Sequence, residues 1–489
     1  MNKEGILSKS INAGKWLTID YFTQRLLGLV SFFVLARLLA PADFGLMAII
    51  LLVPNFLQSM SETGFVTAGI QRGGDITKYL NPLWTINLIR AIAIALIVFF
   101  AGPYIAKFYH AENLVWPIRF GGVFVLLYQL ENIGQAFFSQ NLDFQKIFIR
   151  NLIKTCVYAV VTVAAAMIWR SYLALFVGTI ALYASEMIST YFLHPFRPRL
   201  SFAFRELKEL TRYSKWVSGQ IILDRTYGFL ENSIIARSTN PHHLGLYTKA
   251  KTIGGIGPGF LSSAITMVSF VAYAKLKDEP EKIRDGLRKT FDVIFAFMIP
   301  AVALILIGGG KIILVFMGEA WLPMLGALRV FIIYFVLQSI VEISYRLFAG
   351  IGFPDKKVKL DTVKLLLTIG LLLFLTPRYG ATGSALALLL GIVPTYVLST
   401  HSLVRLTTAT YADIYSRLIV PLLVTITLSI PVIILKPAIV ALPPLLILLI
   451  ASGIGSIYYS ILYLLWRYAK LGPYPTAQLI IWYLRQKRD

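Results

Sequence analysis

Residues 15–46 read KWLTIDYFTQRLLGLVSFFVLARLLAPADFGL, and residues 215–246 read KWVSGQIILDRTYGFLENSIIARSTNPHHLGL. Aligned without a gap at a spacing of 200, Lys15, Trp16, Arg25, Gly28, Ala36, Arg37, Pro41, Gly45 and Leu46 recur as Lys215, Trp216, Arg225, Gly228, Ala236, Arg237, Pro241, Gly245 and Leu246. A Trp and three basic residues held in one register exceed what shared apolar composition produces. The chain reads as two copies of one membrane unit.

Composition sets the class. Of 489 residues, 57% are hydrophobic and only 14% charged, against about a quarter charged in soluble domains. Mean hydropathy is +0.72. Apolar runs of roughly 20 residues, enough to cross a hydrocarbon core, recur about fourteen times, and the strand alternation of an outer-membrane barrel is absent. The joints between them are short, the longest being about 197–213 and 275–289, which leaves no room for a folded soluble domain. The single cysteine, Cys156, lies in an apolar run, so neither a disulfide framework nor a thiolate metal site is expected. Met1 to Lys9 is polar and no cleavable leader is expected.

The net charge of +22 raises nucleic acid as a partner, but its distribution points to topology. With the N-terminus inside, most Lys and Arg fall in cytoplasmic joints, including Arg197, Arg199, Arg205, Lys208 and Arg212, then Lys282, Arg284 and Arg288, then Lys356, Lys357 and Lys359. Both termini are expected to face the cytoplasm. The period holds about six helices, an even number, so the copies run parallel. The expected architecture is all-α: a six-helix lobe over 1–196, a second over 197–403, and two added helices with a basic tail over 404–489. Repeats arranged around a central cavity are a design of alternating-access carriers. The segment Pro473 to Arg488 suits either an interfacial helix or a disordered tail.

Ionisable residues at hydrocarbon depth cost at least about 2.5 kcal/mol each, so they face a cavity or a partner. Lys15, Asp20 and Arg25 interrupt the first run; Lys215, Asp224, Arg225, Glu231 and Asn232 interrupt the seventh. Glu62, Arg90, Glu131, Lys154, Glu186, Lys249, Lys251, Glu342, Arg346 and Lys364 occupy other runs. On a helix Thr18 and Arg25 share a face, as do Ser218, Arg225 and Asn232. The excess of cations nominates Arg25, Arg225, Lys15, Lys215, Arg90, Lys251 and Arg346 for an anion cavity, because a guanidinium fork matches phosphate or carboxylate and stays charged. The alternative is that each pairs with a neighbouring carboxylate, Asp20 near Arg25 being an example. Asp20, Glu62, Glu131, Asp224, Glu231 and Glu342 are candidates for ion coupling. Arg37 and Arg237 each sit just before a Pro that ends its helix and complement the C-terminal dipole.

Pro54 in the second run and Gly254 to Gly259 in the eighth place a breaker at matching depth, with Pro54, Gly257, Pro258 and Gly259 as hinge candidates and close helix packing as the alternative. No Lys follows the glycines, so they are not a phosphate loop. Five scattered histidines show no metal-ligand spacing, and no metal or cofactor is expected. No catalytic arrangement of side chains stands out, and an enzyme is not expected.

Residues 36–48, ARLLAPADFGLMA, with residues 8–16, SKSINAGKW, and the fourteen-run plan resemble the polysaccharide transporters of the multidrug/oligosaccharidyl-lipid/polysaccharide superfamily, in particular the Wzx-type flippases near the colanic acid exporters. The resemblance implies an inner-membrane protein that moves undecaprenyl-diphosphate-linked sugar repeats between leaflets by alternation of two lobes. Its partners would be that lipid-linked glycan, membrane lipids, and a polysaccharide polymerase or glycosyltransferases. The same superfamily holds multidrug and cation antiporters, and a peptidoglycan-precursor flippase shares the diphosphate cargo. A membrane scaffold for glycosyltransferases, using the basic joints at 197–215 and 275–289, is a further alternative. Those joints otherwise serve as topology determinants and contacts to anionic lipid.

Overall fold

A computed structural model describes residues 3–61, 77–204, 208–259, 273, 276, 279–435, 437 and 442–469. Their regular structure is helical: α1 (Lys3–Leu38), α2 (Pro41–Ser61), α3 (Thr77–Phe108), the short α4 (Val115–Phe120), α5 (Gly122–Gln129) and α6 (Ala136–Gln140), then α7 (Phe144–Trp169) and α8 (Tyr172–Leu193). There follow α9 (Lys208–Ser238), α10 (Pro241–Gly254), α11 (Pro280–Phe316), α12 (Leu325–Gly350), α13 (Asp355–Leu406), α14 (Tyr411–Ile434) and α15 (Pro444–Ala469). Nine described helices are long and apolar enough to cross a membrane, and the bent pair Glu112–Gln129 and Ile133–Gln140 adds a tenth if it forms one span. The protein is an all-α, multi-pass membrane protein. Glu62 and the segment Pro473 to Arg488 lie outside the described residues, as does the side chain of Lys215.

The repeated joint folds the same way twice. Leu39 N–H donates to the Leu35 carbonyl at 2.9 Å, and Thr239 N–H to the Ile235 carbonyl at 3.0 Å, 200 positions on. Pro41 and Pro241 then open α2 and α10, at the position where a missing N–H removes no bond. Asp43 accepts from the Ala40 N–H at 2.9 Å, and Asn240 accepts from the His243 N–H at 3.0 Å. The two joints also meet. A Cβ on Gly45 would overlap the Pro241 carbonyl, and a Cβ on Gly245 would overlap the Pro41 carbonyl. Only hydrogen at both positions permits this reciprocal approach. From there α9 packs along α2, with the Phe56 and Phe229 rings stacked at 4.0 Å, while Tyr109 at the end of the third span meets Ser233 at 2.7 Å. The chain divides into two compact units, Met1–Gly245 and Leu246–Asp489. The first unit passes residue 196 because α9 packs on α2.

The backbone repeats further than the side chains do. The non-glycine residues with positive φ are His110 (51°), Leu142 (59°) and Arg170 (46°), and the glycines are Gly318 (99°), Gly352 (96°) and Gly380 (53°), all among the described residues. They pair in order, 208, 210 and 210 positions apart. The bonds around the middle pair agree: Asn141 to Phe137 at 2.8 Å matches Ile351 to Leu347 at 2.9 Å, and Asp143 to Phe138 at 2.8 Å matches Phe353 to Phe348 at 2.7 Å. Gly380, at ψ −133°, also explains the length of α13. At 1.5 Å per residue its 52 residues would reach about 78 Å, far beyond a hydrocarbon core of about 30 Å. It is a hairpin. Ser384 bonds back to Thr376 at 3.1 Å, and Thr395 to the Leu360 carbonyl at 3.5 Å.

An L-residue in the left-handed region costs roughly 1 kcal/mol relative to glycine. At Arg170, exposed and left-handed at the C-terminus of α7, Arg170→Gly is therefore expected to stabilise the protein by about 0.5–1 kcal/mol. Gly352→Ala, where a Cβ meets nothing within 4 Å, should destabilise through backbone strain alone. Thermal unfolding in detergent measures both, and a lowered midpoint for Arg170→Gly would contradict the assignment.

Candidate functional site

α1 packs on α7, and α7 on α8, so the polar residues interrupting these apolar helices meet inside the first unit. Asp20 accepts from Asn151 Nδ2 at 2.8 Å and from Gln24 Nε2, one turn along α1, at 3.4 Å. Thr155 donates to Gln24 Oε1. On α7, Arg150 donates to Asn151 Oδ1 at 3.0 Å and to Gln135 Oε1, and Gln135 passes the chain to Glu131 Oε2 at 2.6 Å. Lys154 Nζ lies 2.5 Å from Glu186 Oε1 on α8, with Arg150 Nε 3.6 Å from the same oxygen. One continuous relay joins α1, α7, α8 and the break in the fourth span.

That break presents Glu131. The bent pair turns by 54° at residues 130–132. Asn132, fully buried, holds the turn: its Oδ1 accepts from Gly134 N–H at 2.9 Å, its backbone N–H donates to Thr190 Oγ1 at 3.0 Å, and its Nδ2 donates to the Phe196 carbonyl at 2.6 Å. Tyr191 donates to the freed Leu130 carbonyl at 3.0 Å. The backbone groups released by unwinding are thus answered by protein, as irregular backbone at membrane depth requires.

The charges do not balance. Among the described residues, Asp20, Glu131 and Glu186 are joined in this relay to two cations, Arg150 and Lys154, one negative charge in excess when all are ionised. Glu131 and Glu186 are 6% and 3% exposed, and Glu131 Oε1 has no hydrogen-bond partner among the described residues. A buried uncompensated charge is expensive, so an acid-rich cluster of this kind favours taking up a proton or cation. No group of three or more His, Cys, Asp or Glu residues able to hold a metal occurs among the described residues.

Other sequence-selected residues lie elsewhere. Asp20 bonds to Asn151 and Gln24 rather than to Arg25, which correspondingly makes no ion pair among the described residues. Arg25 is exposed, its guanidinium 5.4 Å above the Tyr21 ring. Arg225 and Asp224 are exposed on α9, next to Thr226, which contacts Met60 of α2 at 4.0 Å. Lys15 is exposed, and Thr18 bonds back to the Gly14 carbonyl at 2.8 Å. Arg90 donates to Asn87 at 2.9 Å, Glu231 is buried, and Asn232 donates to the Gly228 carbonyl at 2.8 Å.

In the second unit, Lys251 lies 5.9 Å above the Tyr247 ring, and Glu342 accepts from Gln338 at 2.9 Å with Arg346 one turn further along α12. Lys364 pairs with Asp361 at 3.2 Å. α2 continues through a buried Pro54, while Gly255 interrupts α10, leaving Gly257 exposed and Pro258 buried. Arg150, Gln24, Gln135 and Asn151 were not selected from sequence, although Arg150, Asn151 and Lys154 share one face of an apolar run.

A family described as "Polysaccharide biosynthesis protein" matches residues 34–326, more than half of the chain. The chain belongs to this family. It is 24% identical over 432 residues to the lipopolysaccharide biosynthesis protein WzxC of Escherichia coli strain K12, covering 88% of this chain and 87% of that protein. It is 23% identical to the teichuronic acid biosynthesis protein TuaB of Bacillus subtilis strain 168, covering 77% and 78%. Among solved structures it is similar in fold to the lipid II flippase MurJ in an inward closed conformation, with a TM-score of 0.70 at 15% identity, covering 91% of this chain and 98% of that one. A multidrug MATE transporter in an inward-facing conformation gives a TM-score of 0.62 at 16% identity, covering 81% and 98%.

The relay makes a measurable demand on stability. Lys154→Met leaves Glu186 under-compensated and is expected to cost roughly 2–3 kcal/mol in thermal unfolding. Adding Glu186→Leu should regain much of that loss, whereas strictly additive losses would show that the pair is not coupled.

Proposed function

We propose that this polysaccharide biosynthesis family member flips a polyprenyl-diphosphate-linked oligosaccharide from the inner to the outer leaflet of the cytoplasmic membrane by alternating access. The observation that carries the reading is the pair Arg25 and Arg225. They occupy matching positions of the repeat, both are exposed, Arg25 on the spanning helix α1 and Arg225 on its repeat α9, and neither makes an ion pair among the described residues. An exposed guanidinium at that depth is tolerable where it lines a polar cavity rather than lipid. Two forks from α1 and α9 would replace water around a diphosphate while the prenyl tail stays in lipid. The polysaccharide names of its relatives support a glycan cargo over an organic cation.

Fourteen crossings with both termini cytoplasmic follow if α9, α10 and the two arms of α13 each span. The repeat-based division into lobes at 1–196 and 197–403, with two added helices, belongs to the same reading. Alternation requires the α2–α9 contact, from Gly45 and Pro241 to Phe56 and Phe229, to part during each cycle. The relay around Glu131 and Asp20 is the proposed site of coupling to a proton or cation gradient, because buried acid exceeds its paired cations there. Transport, not catalysis, is the proposed role, with glycosyltransferases and a polymerase acting before and after it.

Arg25→Ala and Arg225→Ala, reconstituted at wild-type protein levels, are expected to lose at least about tenfold of lipid-linked glycan flipping. Full activity of both would sink the anion-site reading. Glu131→Gln should flatten the dependence of flipping on an imposed proton gradient while leaving folding intact; an unchanged dependence places coupling elsewhere or removes it.

A further inference from the structure

The joint between the repeats is not a loose linker where it leaves α8. His194 to Phe204 runs without helix along the start of α3, and its inner edge is bonded throughout. Arg199 N–H donates to Asn81 Oδ1 at 2.9 Å, and Ser201 N–H donates to Thr85 Oγ1, one turn along α3, at 2.8 Å. The carbonyls of His194 and Phe196 accept from Asn132, and Phe196 packs against the cluster of Tyr79, Leu80, Leu83 and Ile133. His194 Nδ1 accepts from the Phe196 N–H at 3.1 Å, a role only a neutral ring can play; burial, with Lys146 and Arg197 nearby, lowers its pKa accordingly. The segment is a fixed strap.

Its outer edge is apolar and cationic. Leu200 is 64% exposed and Phe202 70%, with Phe204 edge-on to Phe202 at 5.9 Å. Arg197 and Arg199, just before Leu200, are exposed, Arg197 donating through Nη1 to the His194 and Phe196 carbonyls at 2.8 and 3.0 Å, and Phe192 on the last turn of α8 is 86% exposed. Apolar side chains this exposed mark a surface that is covered. Two arguments identify the cover. The apolar edge continues the lipid-facing surface of α8 through Phe192, at the level where the helix leaves the hydrocarbon. The interspersed arginines complement anionic headgroups, as on interfacial anchors. Pro195 and Pro198 carry no N–H, which makes this segment a poor template for a protein strand.

We infer that His194 to Phe204 is an in-plane membrane anchor, with Leu200 and Phe202 inserted at the acyl boundary and Arg197 and Arg199 bound to phosphates of anionic lipid. Through Asn132 the anchor is tied to the break that presents Glu131. The inference does not depend on which glycan is carried.

The test uses the full chain with Cys156→Ala and a single label site, Ala203→Cys, which is exposed beside Phe202. An environment-sensitive NBD label is read in nanodiscs of phosphatidylcholine with or without phosphatidylglycerol, using lipids that carry a doxyl quencher near the headgroup. Blue-shifted emission and quenching that rises about twofold with phosphatidylglycerol are expected. Arg197→Gln with Arg199→Gln should remove that rise, and Leu200→Ser with Phe202→Ser should remove the blue shift. A matched label at the exposed Glu281 supplies the water reference. Emission at residue 203 equal to that reference would overturn the proposal, and so would a blue shift without lipid quenching, which would indicate protein contact instead.

Discussion

The rest of this structure depends on how closely two backbones approach at one place. Gly45 and Gly245 each lie against the carbonyl of the other joint's proline, an approach a single methyl group on either side would block. That contact brings the second copy of the repeated helix, α9, alongside α2, stacks Phe229 on Phe56, and carries Arg225 to a helix neighbouring the first repeat. The conserved-looking pattern of the two stretches is thus a matter of packing at Pro41, Gly45, Pro241 and Gly245. Arg25 and Arg225 are different in kind. They recur without an ion pair among the described residues, Arg25 resting only against the Tyr21 ring of its own helix.

The repeat was legible in the sequence only where side chains agree. At the first joint, Lys-Trp, Arg-Gly, Ala-Arg, Pro and Gly-Leu recur in one register, and the structure answers with the same turn twice. Beyond it the offset drifts to 208 and then 210, and identity fades, yet the backbone keeps its plan. His110, Leu142 and Arg170 hold conformations for which the second half uses glycine. A position defined by its dihedral angles leaves no mark in the residue code when a leucine is made to adopt it. The hairpin at Gly380 was legible for a different reason, because two apolar runs were expected where the helix is formally continuous.

The intramembrane charges divide the same way. Glu131, Lys154, Glu186 and Asp20 stood out as charges among apolar residues, but their association rests on tertiary packing of α1, α7 and α8. The neutral residues that join them, Gln24, Gln135 and Asn151, carry no such contrast. The unwound turn at residues 130–132 has no proline and is held by Asn132, whose side chain bonds the Gly134 N–H just after the break and the carbonyls of His194 and Phe196 beyond α8. Asn in a helix can cap, bond outward or unwind, and sequence alone does not say which. On the proposed reading, acid in excess inside one unit and exposed arginine on the repeated helices would give ion coupling and cargo binding separate chemical seats.

Alternation at the α2–α9 contact is the claim on which the functional account turns. The direct measurement is to place cysteines at Phe56 and Phe229 in a Cys156→Ala background, join them with a short bifunctional thiol reagent that is cleavable by reductant, and follow lipid-linked glycan flipping in reconstituted vesicles. The account predicts efficient cross-linking, loss of flipping, and recovery on reduction. Full-rate flipping by the cross-linked protein would contradict it.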